Sequence, residues 1–125
     1  MPGGYREFVR RKRKEYKAFL PVFSPALKER VTFNADGFSH LIFKKNRVFR
    51  NVGEQVLKLS LLRFVPTIIK KARSIDERRI PAFSGKCIEY IALSGYVGNN
   101  IKVRVILKKR EKNGTFHFWS VMRIK

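Results

Sequence analysis

The segment from 37 to 50, Gly-Phe-Ser-His-Leu-Ile-Phe-Lys-Lys-Asn-Arg-Val-Phe-Arg, places one of the chain's two histidines among four cations. His40 is of the type that exchanges a proton near neutrality, and Lys44, Lys45, Arg47 and Arg50 are of the types that hold a phosphate. Cleaving RNA without a metal requires removing a proton from the 2′-OH, stabilising a pentacoordinate phosphate and protonating the leaving 5′-oxygen. This combination of residues fits those tasks. The cations are expected to depress the His40 pKa by like-charge repulsion, favouring the neutral imidazole that acts as a base. The plain alternative is an exposed or structurally bonded histidine.

The second histidine, His117, stands between Phe116 and Phe118, with Ser120 three residues on. On a regular strand, odd spacing puts His117 and Ser120 on opposite faces, so His117 reads as a packed or rim residue as readily as an acid. Two-residue turns at Gly98-Asn99 and Asn113-Gly114 would align Tyr90, Leu107 and Ser120 in one row. The other face would then carry Glu89, Lys108 and Trp119, followed by Leu93, Arg104 and Arg123, with His117 opposite Arg110. Arg104 facing Arg123 would need an anion or solvent between them, a weak pointer to phosphate. The expected RNA contacts are Lys45, Arg47, Arg50, Arg104, His117 and Arg123.

Other chemistries find less in the sequence: it has no Walker-type glycine loop, no convincing carboxylate pair and no nucleophilic serine motif. No Cys/His spacing suits zinc, so no metal or cofactor is expected. Cys87 is the single cysteine, which forbids an intrachain disulfide, and its place in a predicted strand suggests a buried, inert thiol.

A length of 125 residues suits one domain, and 44% hydrophobic residues with eleven Phe can supply its core. The balance of 29 Lys and Arg against 9 Asp and Glu, net +20, makes nucleic acid the first partner to consider and an acidic protein the second. No apolar run approaches the roughly 20 residues of a membrane span. The first residues lack the apolar core of a signal peptide, so a soluble cytoplasmic protein is expected.

Residues 5 to 20 place Tyr5, Phe8, Val9, Lys12, Tyr16, Phe19 and Leu20 on one side at helical spacing, with most of the cations on the other. A short second helix is expected from Ser24-Pro25 to about Glu29, which makes residues 1 to 30 a basic helical arm. Val31-Thr32-Phe33 reads as β-prone and Asn34-Ala35-Asp36-Gly37 as a tight turn, while 38 to 43 fits either a strand or the first turn of a helix. From 51 to 73, Leu57, Leu61, Phe64, Ile68 and Ala72, joined by Val56, Val65 and Ile69, mark the main core helix. Lys58, Arg63, Lys70 and Lys71 fall outside it, and Pro66 kinks or splits it. Residues 74 to 86 read as a surface loop, with Asp76 and Glu77 as loop solvation. Runs at 87 to 97, 100 to 110 and 115 to 124 read as an antiparallel meander, one face covered by the main helix and the other partly by the N-terminal arm. The fold class is α+β, with N-terminal helices and one long Pro-interrupted helix packed on a C-terminal β-meander.

The order of parts, with Val-Thr-Phe-Asn followed by Gly-Phe-Ser-His-Leu-Ile-Phe-Lys at 31 to 44 and His-Phe-Trp-Ser-Val at 117 to 121, resembles the phage-type branch of the barnase, EndoU, colicin and RelE-like ribonuclease superfamily. The resemblance covers residues 31 to 124 and implies a barnase/RelE-like core at 31 to 125. It also implies a metal-independent endoribonuclease acting by 2′-OH transesterification, as the toxin of a toxin–antitoxin pair or a mobile-element effector. An acidic antitoxin or immunity protein is the partner such a toxin implies. His40 would match the family's histidine, Lys44 its following basic position and Ser120 the serine of the last strand, and with Tyr90 as the same-row companion of Ser120 the resemblance implies a catalytic set of His40, Lys44, Ser120 and Tyr90. The alternative, from another class, is a non-catalytic basic module that binds RNA or DNA through phosphate contacts and base stacking.

Overall fold

The computed structural model describes residues 2–44, 48–81, 88–110 and 114–124. Helix α1 (Pro2–Lys17) leads into a hairpin of β1 (Val22–Ser24) and β2 (Glu29–Val31), followed by α2 (Ala35–Ile42) and α3 (Val52–Leu61). A 3-10 turn at Leu62–Phe64 leads into α4 (Val65–Lys71), and β3 (Glu77–Arg79), β4 (Glu89–Val97), β5 (Ile101–Lys109) and β6 (His117–Ile124) complete the chain. The last four strands form one antiparallel sheet in the order β3-β4-β5-β6, so the fold is α+β. No helix among the described residues is long and apolar enough to cross a membrane.

One sheet face carries Ile91 and Leu93 of β4, Val103, Val105 and Leu107 of β5, and Phe118 and Val121 of β6, all fully buried. They form one core with Leu59, Leu62, Val65, Ile68 and Ile69 from the α3–α4 segment and with Phe38, Leu41 and Ile42 from α2. Burying each such side chain stabilises the fold by roughly 1.5–3 kcal/mol, which fixes α2 and α3 to β6. Tyr16 of α1 joins this same core against Phe38 and Phe118, and Tyr5 donates to buried Gln55 of α3. The N-terminal helix therefore packs with the other helices. It does not cover the second sheet face, as the sequence had suggested.

Several local expectations change for identifiable reasons. Residues 25 to 28 form the turn of the β1–β2 hairpin in place of a helix: Ser24 Oγ accepts from Leu27 N, Lys28 N donates to Ser24 O at 2.7 Å, and Lys28 takes φ 59°. Asn34 starts a helix in place of a tight turn, because its Oδ1 accepts from Gly37 N and caps α2. Gly37 is required there: a Cβ would overlap the Phe118 carbonyl oxygen and lie 2.7 Å from Tyr16 Oη. Leu57, expected in the core, is 70% exposed, whereas Gln55 is buried, donating to Arg50 O at 2.7 Å. The chain does break ahead of Pro66, which sits in the first turn of α4 where its missing N–H costs nothing. In the expected loop at 74 to 86, the charged stretch Glu77–Arg79 pairs with β4 as an edge strand, while 82 to 87, including Cys87, lies outside the described residues.

The sheet register also differs. Val97 pairs with Ile101, so the β4–β5 turn has three residues, the first being Gly98 at φ 65°, and Tyr90 faces Lys108 in place of Leu107. Residues 110 to 116 separate β5 from β6, of which 111 to 113, including Asn113, lie outside the described residues. Between β5 and β6 the register slips by one at Ile106/Leu107, because Phe118 faces Leu107 while Ser120 faces Ile106. Trp119 is the extra residue of this β-bulge. It places His117 and Ser120 on the same face, opposite Lys108 and Ile106, against the parity expected of a regular strand.

Candidate active site

The second sheet face carries Tyr90 and Ala92 of β4, Ile106 and Lys108 of β5, and Ser120 and Met122 of β6. It is bounded by α3 on one side and β3 on the other. A cavity of about 420 Å³ opens here, lined by these apolar floor residues together with His40, Arg50, Lys58, Glu77, Arg79, Tyr90, Trp119 and Ser120. His40 comes from the last turn of α2, and its ring stacks on Trp119 with centroids 4.1 Å apart and planes 21° apart. The bulge supplies the indole, and α2, anchored through Phe38 and Leu41, supplies the imidazole.

Arg50 fixes the other side of His40. Its Nε donates to the His40 carbonyl oxygen at 3.0 Å, its Nη2 lies 3.3 Å from His40 Nε2, and its Nη1 donates to Glu54 Oε1 at 3.1 Å. Glu54 is itself held in the first turn of α3, where its backbone N–H donates to the Asn51 cap. A guanidinium has only donors, so Nε2 of His40 is the accepting nitrogen and its neutral ring carries the proton on Nδ1. Burial, followed by the charges of Arg50, Lys58 and Lys108, pushes the His40 pKa down to about 4. The largest cause is desolvation. Two of the three cations come from outside the His40 segment.

Lys58 is the residue sequence reasoning missed, having been assigned to the solvated side of the main helix. Its Nζ donates to Ser120 Oγ at 3.3 Å and to the Val121 carbonyl at 3.1 Å. Burial and the charge of Arg50 lower its pKa, with Glu54 opposing. The signal in the sequence was spacing: Arg50, Glu54 and Lys58 recur every four residues, with Glu54 and Lys58 on one stripe of α3 and Arg50 just ahead of its cap. Lys108 Nζ sits 3.8 Å from the Trp119 ring centroid and 5.6 Å from that of Tyr90, and burial lowers its pKa as well. Lys108 was placed beside Trp119 in the sequence reading but given no role.

The other expected residues divide. Tyr90 and Ser120 line the same cavity as His40, although they do not share a row. Lys44 is exposed and lines an adjoining cleft with Asp36, Ser39, His40, Phe43, Arg110 and Trp119. Lys45 and Arg47 lie outside the described residues. Arg104 shares the cavity's sheet face, opposite Ser94 and Met122, but does not line the cavity, and its buried Nε has no hydrogen-bond partner among the described residues. Arg123 pairs with Val103 and belongs to the opposite face, so the expected Arg104–Arg123 pair does not exist. His117 is buried opposite Lys108 beside a separate depression with Asp36 and Arg110; burial and then the Arg110 charge lower its pKa, Asp36 opposing.

The arrangement offers a neutral imidazole, a permanent guanidinium and an amine of lowered basicity bonded to a serine hydroxyl around one recess, with a second such amine, Lys108, over the Trp119 ring at its edge. That combination suits proton transfer beside an anion. Compared with protein-family models, curated proteins and solved structures, the chain matches none of them.

Proposed function

We propose that this protein is a metal-independent endoribonuclease that cleaves RNA by 2′-OH transesterification. The supporting observation is His40, held neutral at pH 7 by burial and by cations that would also bind the reacting phosphate. His40 Nε2 takes the proton from the 2′-OH and the 2′-oxygen attacks phosphorus. The P–O5′ bond breaks, leaving a 2′,3′-cyclic phosphate and a 5′-hydroxyl. Arg50 and Lys108 balance the charge on the phosphorane, Ser120 orients a phosphoryl oxygen, and Lys58, an ammonium of lowered pKa, returns a proton to the leaving 5′-oxygen. Tyr90 forms the wall against which the ribose or base rests.

In the free protein Arg50 occupies the accepting nitrogen of His40. A phosphate oxygen that draws that N–H away frees the base, which links substrate arrival to activation. The same contact favours a competing reading, a non-catalytic RNA- or DNA-binding module in which His40 merely braces Arg50. Incubating the purified protein with RNA in EDTA separates the two. A cyclic-phosphate product that is lost in His40→Ala supports the nuclease, whereas intact RNA in a stable complex supports the binding module. For the nuclease we further propose a cytoplasmic role as a toxin or mobile-element effector. An acidic antitoxin or immunity protein would cover the +20 surface.

A further inference from the structure

The cavity at His40 continues into two further depressions, and the residues they share trace a path. His40 and Trp119 line both the 420 Å³ cavity and the adjoining cleft that contains Lys44 and Arg110. Ser39 lines that cleft and also a third depression, where α1 meets the start of α2, whose walls include Arg13, Lys17, Asn34 and Phe38. Three recesses are thus strung along one side of α2, and cations border each of them. In the middle cleft Asp36 is neutralised by its ion pair with Arg110.

The far end of this path is built from α1. Arg6, Arg10, Arg13 and Lys17 follow i, i+4, i+7 and i+11 spacing and are all exposed, giving a row of charge about 16 Å long at 1.5 Å per residue. Arg13 holds its guanidinium 4.9 Å from the Phe38 ring centroid, so the helix that carries His40 also orients one cation of the row. Arg10 faces Glu7 at 3.7 Å on an exposed surface, whereas Arg13 and Lys17 have no ion-pair partner among the described residues. A solvated helix face needs no such alignment with a recess.

We infer that α1 is an extended substrate site: a single RNA strand reacting at His40 runs over Ser39 and lays its flanking phosphates on Arg13 and Lys17, then along the α1 row. This rests on the nuclease reading for what happens at His40, but the path can be tested by binding alone. A single strand is specified because the reacting nucleotide must enter a recess, which an A-form duplex with its stacked bases and narrow major groove does not allow.

The test uses the full chain and two probes, a ribodinucleotide and a single-stranded oligonucleotide of about twelve residues with a 2′-O-methyl block. Lys17→Gln, at an exposed position, and Arg13→Gln/Lys17→Gln are compared with Arg63→Gln/Lys70→Gln, which removes equal charge elsewhere. Folding is checked by circular dichroism. The expected result for Arg13→Gln/Lys17→Gln is about a tenfold loss of affinity for the long strand, a salt slope reduced in magnitude by about 1.4, and unchanged dinucleotide turnover. Lys17→Gln alone should give about half that slope change, and the control pair none. Equal losses for both charge pairs, an unchanged salt slope, or the same change with a duplex of equal length would each overturn the path. Loss of cleavage without any change in these slopes would overturn the path and leave the nuclease in place, whereas slope changes in a protein that never cleaves RNA would leave the path standing and remove the nuclease.

Discussion

Arg50 grips His40 at two points, its Nε on the backbone carbonyl at 3.0 Å and its Nη2 beside Nε2 at 3.3 Å. One side chain therefore fixes the position and tautomer of the imidazole and adds to the lowering of its basicity. Replacing it separates these effects. In Arg50→Gln the His40 pKa should rise from about 4, because a cation is lost, yet stay below the usual value, because burial remains the larger cause. An NMR titration of the imidazole reads this directly; an unmoved pKa would sink the assignment of Nε2 to Arg50.

Stability should fall with acid for the same reason. His40 has a depressed folded pKa, so its contribution is complete above about pH 6.5, the unfolded value, and is lost as pH drops towards the folded value of about 4. His117, also lowered, acts in the same direction, while Glu54, held low chiefly by its Arg50 hydrogen bond, adds to the loss as pH falls from the ordinary carboxylate range downwards. Thermal melts should show Tm decreasing between pH 6.5 and 4, with a shallower decrease in His40→Gln. A melt profile identical in wild type and variant would place the acid sensitivity elsewhere.

At Lys58, charge and proton donation can be told apart. Lys58→Ala should lower the single-turnover rate of RNA cleavage by roughly 10²-fold, the size of one acid–base contribution. Lys58→Arg keeps the charge but cannot release a proton near neutrality, so it should not restore the rate if Lys58 acts as the acid. Full rescue by arginine would make Lys58 an electrostatic group only.

His40→Ala should leave affinity for a 2′-O-methyl-blocked RNA within a few-fold while reducing turnover by roughly 10²-fold or more. Proportional loss of affinity and rate would assign His40 to binding. Ser120→Ala should reduce turnover less than His40→Ala, since a hydroxyl can orient the phosphate but is a poor base at neutral pH.

Gly37→Ala tests how the site is held. The new methyl would overlap the Phe118 carbonyl and crowd Tyr16 Oη, pushing α2 away from β6. Overpacking of this kind costs about 1–3 kcal/mol, readable as a lower urea midpoint. Because the same displacement moves His40 off Trp119, cleavage should fall even under conditions where the variant is fully folded.

The parts of this molecule visible in its sequence are those set by composition over many residues. β4, β5 and β6 stand out as β-prone runs of aliphatic and aromatic residues, and Pro66 announces the break between α3 and α4 because its chemistry is local. The failures occur where one atom or one residue decides. Asn34 Oδ1 turns an apparent Asp-Gly turn into a helix, and the third residue of the Gly98 turn shifts the whole β4–β5 register. Buried Gln55 is accommodated because its partners, Tyr5 and the Arg50 carbonyl, come from 50 and 5 residues away. Lys58 was hidden for a related reason. A cation on a helix reads as solvated until a strand, here β6, brings Ser120 up to it.

The extra residue at Trp119 makes the length of β6 a chemical variable. Deleting that one residue would leave Phe118 opposite Leu107 and Ser120 opposite Ile106 in regular alternation, so every face would be kept and only the indole that stacks on His40 would be lost. An insertion elsewhere in the strand would instead shift the residues beyond it to the opposite face, whereas a second residue added at 119 would only lengthen an existing irregularity. Among chains built on this plan, one residue fewer between the equivalents of His117 and Ser120 would mark a site that keeps the serine in place but lacks the ring under the imidazole.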